Sequence, residues 1–162
     1  MKASLFFSSL SILSLLLLGC AKTANERHSD SDAVIQFAGS KDGKPDVGNS
    51  CLLIVERGTK EYVFGKDVIC PNDDMYYYQL WNVPSAVRVT FHSEKSCSTS
   101  DGVDWYFVTQ TYINNVTGNW ELISNIKGKE PGDIISKGLL YKRGNYDHGN
   151  IGGKLSCVTV EY

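Results

Sequence analysis

Residues 86–92 alternate at every step: Val87, Val89 and Phe91 fall on one side, Arg88, Thr90 and His92 on the other. That period of two belongs to a strand with one face buried and one face solvated. No long stretch of the chain shows the 3.6-residue period of an amphipathic helix. Other short apolar or β-branched runs repeat the strand signal at residues 34–37, 52–56, 61–64, 105–112, 120–126, 138–141 and 155–161. Between them lie turn-forming clusters: residues 42–50 (DGKPDVGNS), 57–60, 65–67 and the glycine-rich 144–153 (GNYDHGNIGG). The first reads as a loop and the last as a flexible loop. Strands of this length, punctuated every ten residues or so, predict an all-β sandwich or barrel.

The N-terminus carries a different message. Lys2 is followed by Leu5-Phe6-Phe7 and then a leucine-rich run from Leu10 to Leu18. The run is short for a hydrocarbon core of about 30 Å and has the flanks of a cleaved export signal. It ends in Leu17-Leu18-Gly19-Cys20, which resembles the lipobox of bacterial lipoproteins. The resemblance implies removal of residues 1–19, diacylglycerol on the Cys20 thiol and acylation of the new amine, a two- or three-chain anchor stable in a membrane. Ala21 in place of Asp leans towards the outer membrane of a Gram-negative cell, with the domain facing the periplasm. Residues 20–32 follow as lipidated cysteine and polar tether, too poor in apolar groups to order themselves. His28 lies in that tether. Residues 33–162 are predicted as a single domain.

Cleavage removes 19 of 162 residues and leaves 143, enough for one proper core. The net charge of −2 becomes about −3 without Lys2, and no basic stripe offers itself to nucleic acid. Four cysteines remain besides Cys20: Cys51, Cys70, Cys97 and Cys157. An even number in an exported chain reads as two disulfides. Three pairings are open; Cys51–Cys70 with Cys97–Cys157 is favoured, on the ground that each would tie neighbouring strands. No C-x-x-C or H-x-x-x-H spacing supports zinc instead.

The stretch Asn72-Asp73-Asp74-Met75-Tyr76-Tyr77-Tyr78-Gln79-Leu80, continued by Val83-Pro84-Ser85-Ala86-Val87-Arg88-Val89-Thr90-Phe91, resembles the core of a βγ-crystallin motif. Upstream, Tyr62-Val63-Phe64-Gly65 is similar to its aromatic-plus-glycine corner. The likeness covers 52–91; in the second half only Gly132-Asp133-Ile134-Ile135-Ser136 is comparable, without the paired Asn/Asp. It implies a Greek-key β-sandwich, stapled here by disulfides. Some members bind Ca²⁺ through the acidic loop and others inhibit proteases. Tyr76 and Tyr77 stand where the family has hydroxyl ligands, whereas Ca²⁺ wants compact oxygen donors. Asp73 and Asp74 therefore read as a solvated turn, with calcium held through Asn72 and Asp73 as the alternative and no other cofactor implied.

No catalytic set emerges. There is no G-x-S-x-G elbow, and paired cysteines supply no thiolate. Asp147-His148 is the only acid–histidine neighbour pair, in a loop where solvation is the ordinary state. Asp73, Asp104, Glu121 and Asp133 could pair for glycoside chemistry, yet nothing marks any two. The aromatic cluster Tyr76-Tyr77-Tyr78 with Trp81 either fills a core from both strand faces or presents rings to a partner. The expectation is a non-enzymatic envelope lipoprotein that binds and neutralises a protein, a hydrolase or a periplasm-delivered toxin. Its contact residues would be Asp101 and Asp104 in one loop, and Tyr146, Asp147 and His148 in another. The alternatives are a calcium-binding structural module and a glycan-binding or hydrolytic protein, with Trp81 or Trp120 reporting on sugar.

Overall fold

A computed structural model describes residues 32–162; the signal, Cys20 and the tether up to residue 31 lie outside the described residues. The chain forms two antiparallel sheets, and the predicted disulfide-stapled β-sandwich is what it builds. The strands are β1 (Val34–Lys41), β2 (Lys44–Ile54), β3 (Thr59–Val63), β4 (Tyr77–Trp81), β5 (Arg88–His92), β6 (Trp105–Thr111), β7 (Glu121–Leu122), β8 (Ile134–Ser136), β9 (Leu139–Tyr146) and β10 (Cys157–Glu161). Sheet A runs β2-β1-β4-β7 and sheet B runs β3-β10-β5-β6-β9-β8. Between them Phe37, Phe64, Tyr78, Phe91, Trp105 and Phe107 are fully buried. Phe37 meets Phe64 edge-on at 5.4 Å, Tyr78 leans on Phe91 at 5.1 Å, and Trp105 stacks on Phe107 at 5.3 Å. Such pairs add to the free energy of burial itself.

Several expectations change. Residues 42–50 are not a loop. Asp42-Gly43 is a two-residue hairpin turn with φ of +52° and +71°, and β2 begins straight after it. Both central residues take the positive φ that the strands' right-handed twist demands. The early part of β2 lacks apolar alternation because it is an edge held by backbone bonds to β1. The run 120–126 is no strand beyond Glu121–Leu122; Ile123–Ile126 turns into a short 3₁₀ helix that buries Ile123 and Ile126. Nor is 144–153 wholly loop, since β9 continues to Tyr146.

The pairing of the cysteines is as predicted, but its geometry is not. Cys51 of β2 bonds to Cys70 in the segment after β3, and so joins an edge of sheet A to chain leaving sheet B. Cys97, in the segment between β5 and β6, bonds to Cys157 at the start of β10. Each disulfide ties a strand to a loop. The chain-entropy model assigns about 3 kcal/mol to the shorter loop and about 4 to the longer.

The second bond explains another departure. Along β10, Val158 and Val160 enter the core, so Cys157 and Thr159 face outward. Cys97 therefore fastens residues 93–104 across the outer side of sheet B. His92, predicted on a solvated face, is 1 % exposed beneath them. Its Nδ1–H donates to the Ser98 carbonyl at 3.1 Å, because a carbonyl can only accept. Nε2 then accepts from the Thr159 hydroxyl at 3.0 Å. Burial holds this imidazole below its ordinary pKa, offset in part by the Ser98 bond.

Candidate partner-binding site

The two loops singled out for charge and turn composition meet in space. The cause is strand register: β6 and β9 are antiparallel with Trp105 opposite Tyr146. Asp104 and Asp147, one residue beyond that pair on each strand, must be neighbours. The Asp147 N–H donates to the Asp104 carbonyl at 2.8 Å and extends the ladder by one rung. His148 then lies between two carboxylates. Its Nδ1 donates to Asp147 Oδ2 and its Nε2 to Asp104 Oδ1, both at 2.9 Å. The Asp147 hydrogen bond, then the charge of Asp104, raise this histidine above its ordinary pKa. In its protonated form both ring nitrogens donate, and the imidazolium bridges the two carboxylates.

The loop that carries it is pinned. Tyr146 Oη–H donates to the Gly149 carbonyl at 2.9 Å, and the Trp105 indole N–H donates to the Asn150 carbonyl at 3.0 Å. Ile151 and Leu155 are buried in the core. Gly153 has φ +69°, and a Cβ there would lie 2.8 Å from the Tyr76 ring. Glycine is required on both counts. The predicted flexible loop is thus clamped at its base, while His148 and Asp147 remain about two-thirds exposed. Lys127 sits 3.4 Å over the Tyr146 ring. Asp101 stays outside the cluster, exposed in the preceding turn beside Gly102.

Asp104 also borders a polar cleft of about 400 Å³ that includes Asn72, Asp73, Lys154 and Ser156. Asp104, alone of the partner-contact candidates, shares this depression with Asn72 and Asp73. Asp73 occupies a positive-φ turn. It accepts from the Ser156 hydroxyl at 3.1 Å through Oδ1, and Lys154 stands 3.7 Å from Oδ2. A carboxylate already facing an ammonium does not fit a calcium ligand, and Tyr76 and Tyr77 supply no compact oxygen in place of the family's hydroxyls. Among the described residues no group of three or more His, Cys, Asp or Glu is placed to hold a metal ion. Ser156 and Lys154 carried no signal in the sequence, because their meeting with Asp73 depends on a contact across about eighty residues. Comparison with family models, curated proteins and solved structures yields no match for this chain.

Proposed function

We propose that this chain is a non-catalytic, lipid-anchored protein of the bacterial envelope that binds and neutralises a protein partner, a hydrolase or a toxin delivered to the periplasm. The observation that supports it best is the clamped loop carrying Asp147 and His148 against Asp104. A loop held in one conformation before contact loses little entropy on binding, which is the requirement for plugging an active site. The signal ending in Leu17-Leu18-Gly19-Cys20 supports the anchor. The likeness of residues 52–91 to βγ-crystallin motifs, some of whose members inhibit proteases, supports the same reading. The outermost carboxylates, Asp147 and Asp101, suit a partner with Lys or Arg at its cleft.

The test uses the full chain, exported so that its disulfides form, to capture partners from envelope and secreted fractions. The expected result is a stoichiometric hydrolase or toxin whose activity falls on binding. Asp147→Lys should weaken that complex at least tenfold with an unchanged melting temperature. An empty eluate, or a complex indifferent to Asp147→Lys and His148→Ala, overturns the proposal.

A further inference from the structure

A second depression lies at the opposite end of β6 and β9, some six residues along the strands and therefore roughly 20 Å from His148. There β7 ends sheet A and β8 ends sheet B, and the two edges part. The chain leaving β6 returns beside β4. Val116 bridges Val83, the Gly118 N–H donates to Leu80 O at 3.1 Å, and Gln79 Nε2–H donates to Gly118 O at 2.7 Å. These bonds hold residues 117–119 next to Trp81 and leave a cleft of about 460 Å³. Its walls include Trp81, Gln79, Asn119, Glu121, Ser136 and Lys137.

Three features of this cleft belong together. Trp81 is 45 % exposed, although Tyr78 and Leu80 of the same strand are buried. Strand alternation sends its indole to the open side of sheet A. Glu121 stands opposite Tyr78 in the β4–β7 pairing, partly withdrawn from water, and that burial pushes its carboxyl pKa up. The Tyr78 hydroxyl, in a residue only 1 % exposed, lies by Glu121 and Ser136, two residues that also line the cleft.

We propose that this cleft binds a pyranose glycan, with the Trp81 indole stacked on a sugar ring and the Gln79, Asn119, Glu121 and Lys137 side chains bonded to its hydroxyls. A sugar offers an apolar C–H face and a rim of groups that both donate and accept. One flat aromatic surface beside amides and a carboxylate is its complement. A peptide would need apolar pockets, and this cleft is polar apart from Trp81. Nucleic acid would need a basic track, and Lys137 is its only cation. Hydrolysis would need a second carboxylate beside Glu121; the lining contains one, so the site holds glycan without cleaving it. This inference does not depend on the loop of His148.

The experiment titrates the exported full chain, kept in a detergent without a sugar headgroup, with N-acetylated chitotriose, cellotriose and maltotriose by calorimetry. At least one should bind saturably with a Kd of about 1 mM or tighter. Trp81→Ala should weaken it at least tenfold, and Glu121→Gln several-fold, while Trp120→Phe and Asp147→Lys leave it unchanged. Trp81 is exposed, so its replacement should keep the melting temperature, which is checked alongside. Heat signals at the level of dilution for all three sugars overturn the proposal, as does binding that survives Trp81→Ala.

Discussion

The two sheets meet solvent in different ways. The outer side of sheet B is roofed by residues 93–104, and beneath them His92, Thr90, Thr159 and Val108 are all buried. Among the described residues no such roof covers the outer side of sheet A: Leu52 and Ile54 are each 40 % exposed and Trp81 slightly more. Both faces are built from strands of similar composition. What separates them is one covalent bond, Cys97–Cys157, which draws a polar loop over a surface that alternation alone would leave wet. The far end of the roof delivers Asp104 to His148. The bare face leaves Trp81 free at the rim of the second cleft.

The largest test of that contrast removes the fastener. Replacing Cys97 and Cys157 together by Ser should cost about 4 kcal/mol in chain entropy, and more as His92 and Thr159 become wet. The Cys51/Cys70 double variant should cost about 3 kcal/mol. Urea unfolding under non-reducing conditions decides it, and a reversed order would mean that the roof contributes little.

Next comes the clamp beneath the site. Gly153→Ala should lose about 1–3 kcal/mol, from the positive φ and from the overlap with the Tyr76 ring. In a Tyr76→Ala background the loss should shrink without vanishing, since the ring is gone and the φ remains. Thermal unfolding of the four members of that cycle measures the coupling.

The histidines sharpen the comparison. His92 under the roof should titrate below the ordinary value of about 6.5, and His148 in the exposed loop above it. The signs then oppose. Stability from neutral His92 is complete above about pH 6.5 and is lost as pH falls towards its folded pKa, at no more than about 1.4 kcal/mol per pH unit. The contribution of His148 is present below about pH 6.5 and disappears as pH rises through its raised folded pKa. Ring-proton NMR titration separates them. Asp147→Asn should lower the His148 pKa and leave that of His92 in place.

The smallest effect belongs to the open face. Leu52→Lys should change stability by less than about 0.5 kcal/mol. Val108→Lys, on the roofed face, should cost several times that, because it buries an unpaired charge. Equal costs in chemical denaturation would erase the distinction between the faces.

Much of this molecule was legible in local pattern. Alternation at 86–92 and the even cysteine count determined an all-β, disulfide-bonded domain, since a period of two and a staple are properties of neighbouring residues and of composition. The candidate loops were also visible, through their glycines, Asp101, Asp104, Asp147 and His148. The hairpin at Asp42-Gly43 was read as part of a longer loop, because the polar residues after it masked the strand. Tertiary structure alone decided the rest. The register that sets Trp105 opposite Tyr146 brings Asp104 and Asp147 together, and a one-residue slip would part them. The Cys97–Cys157 roof turned a solvated histidine into a buried one, and the parting of β7 from β8 left Glu121 beside Trp81 in an open cleft. Each is a contact between residues far apart in the chain, and periodicity describes only which way a side chain faces, not what lies opposite it.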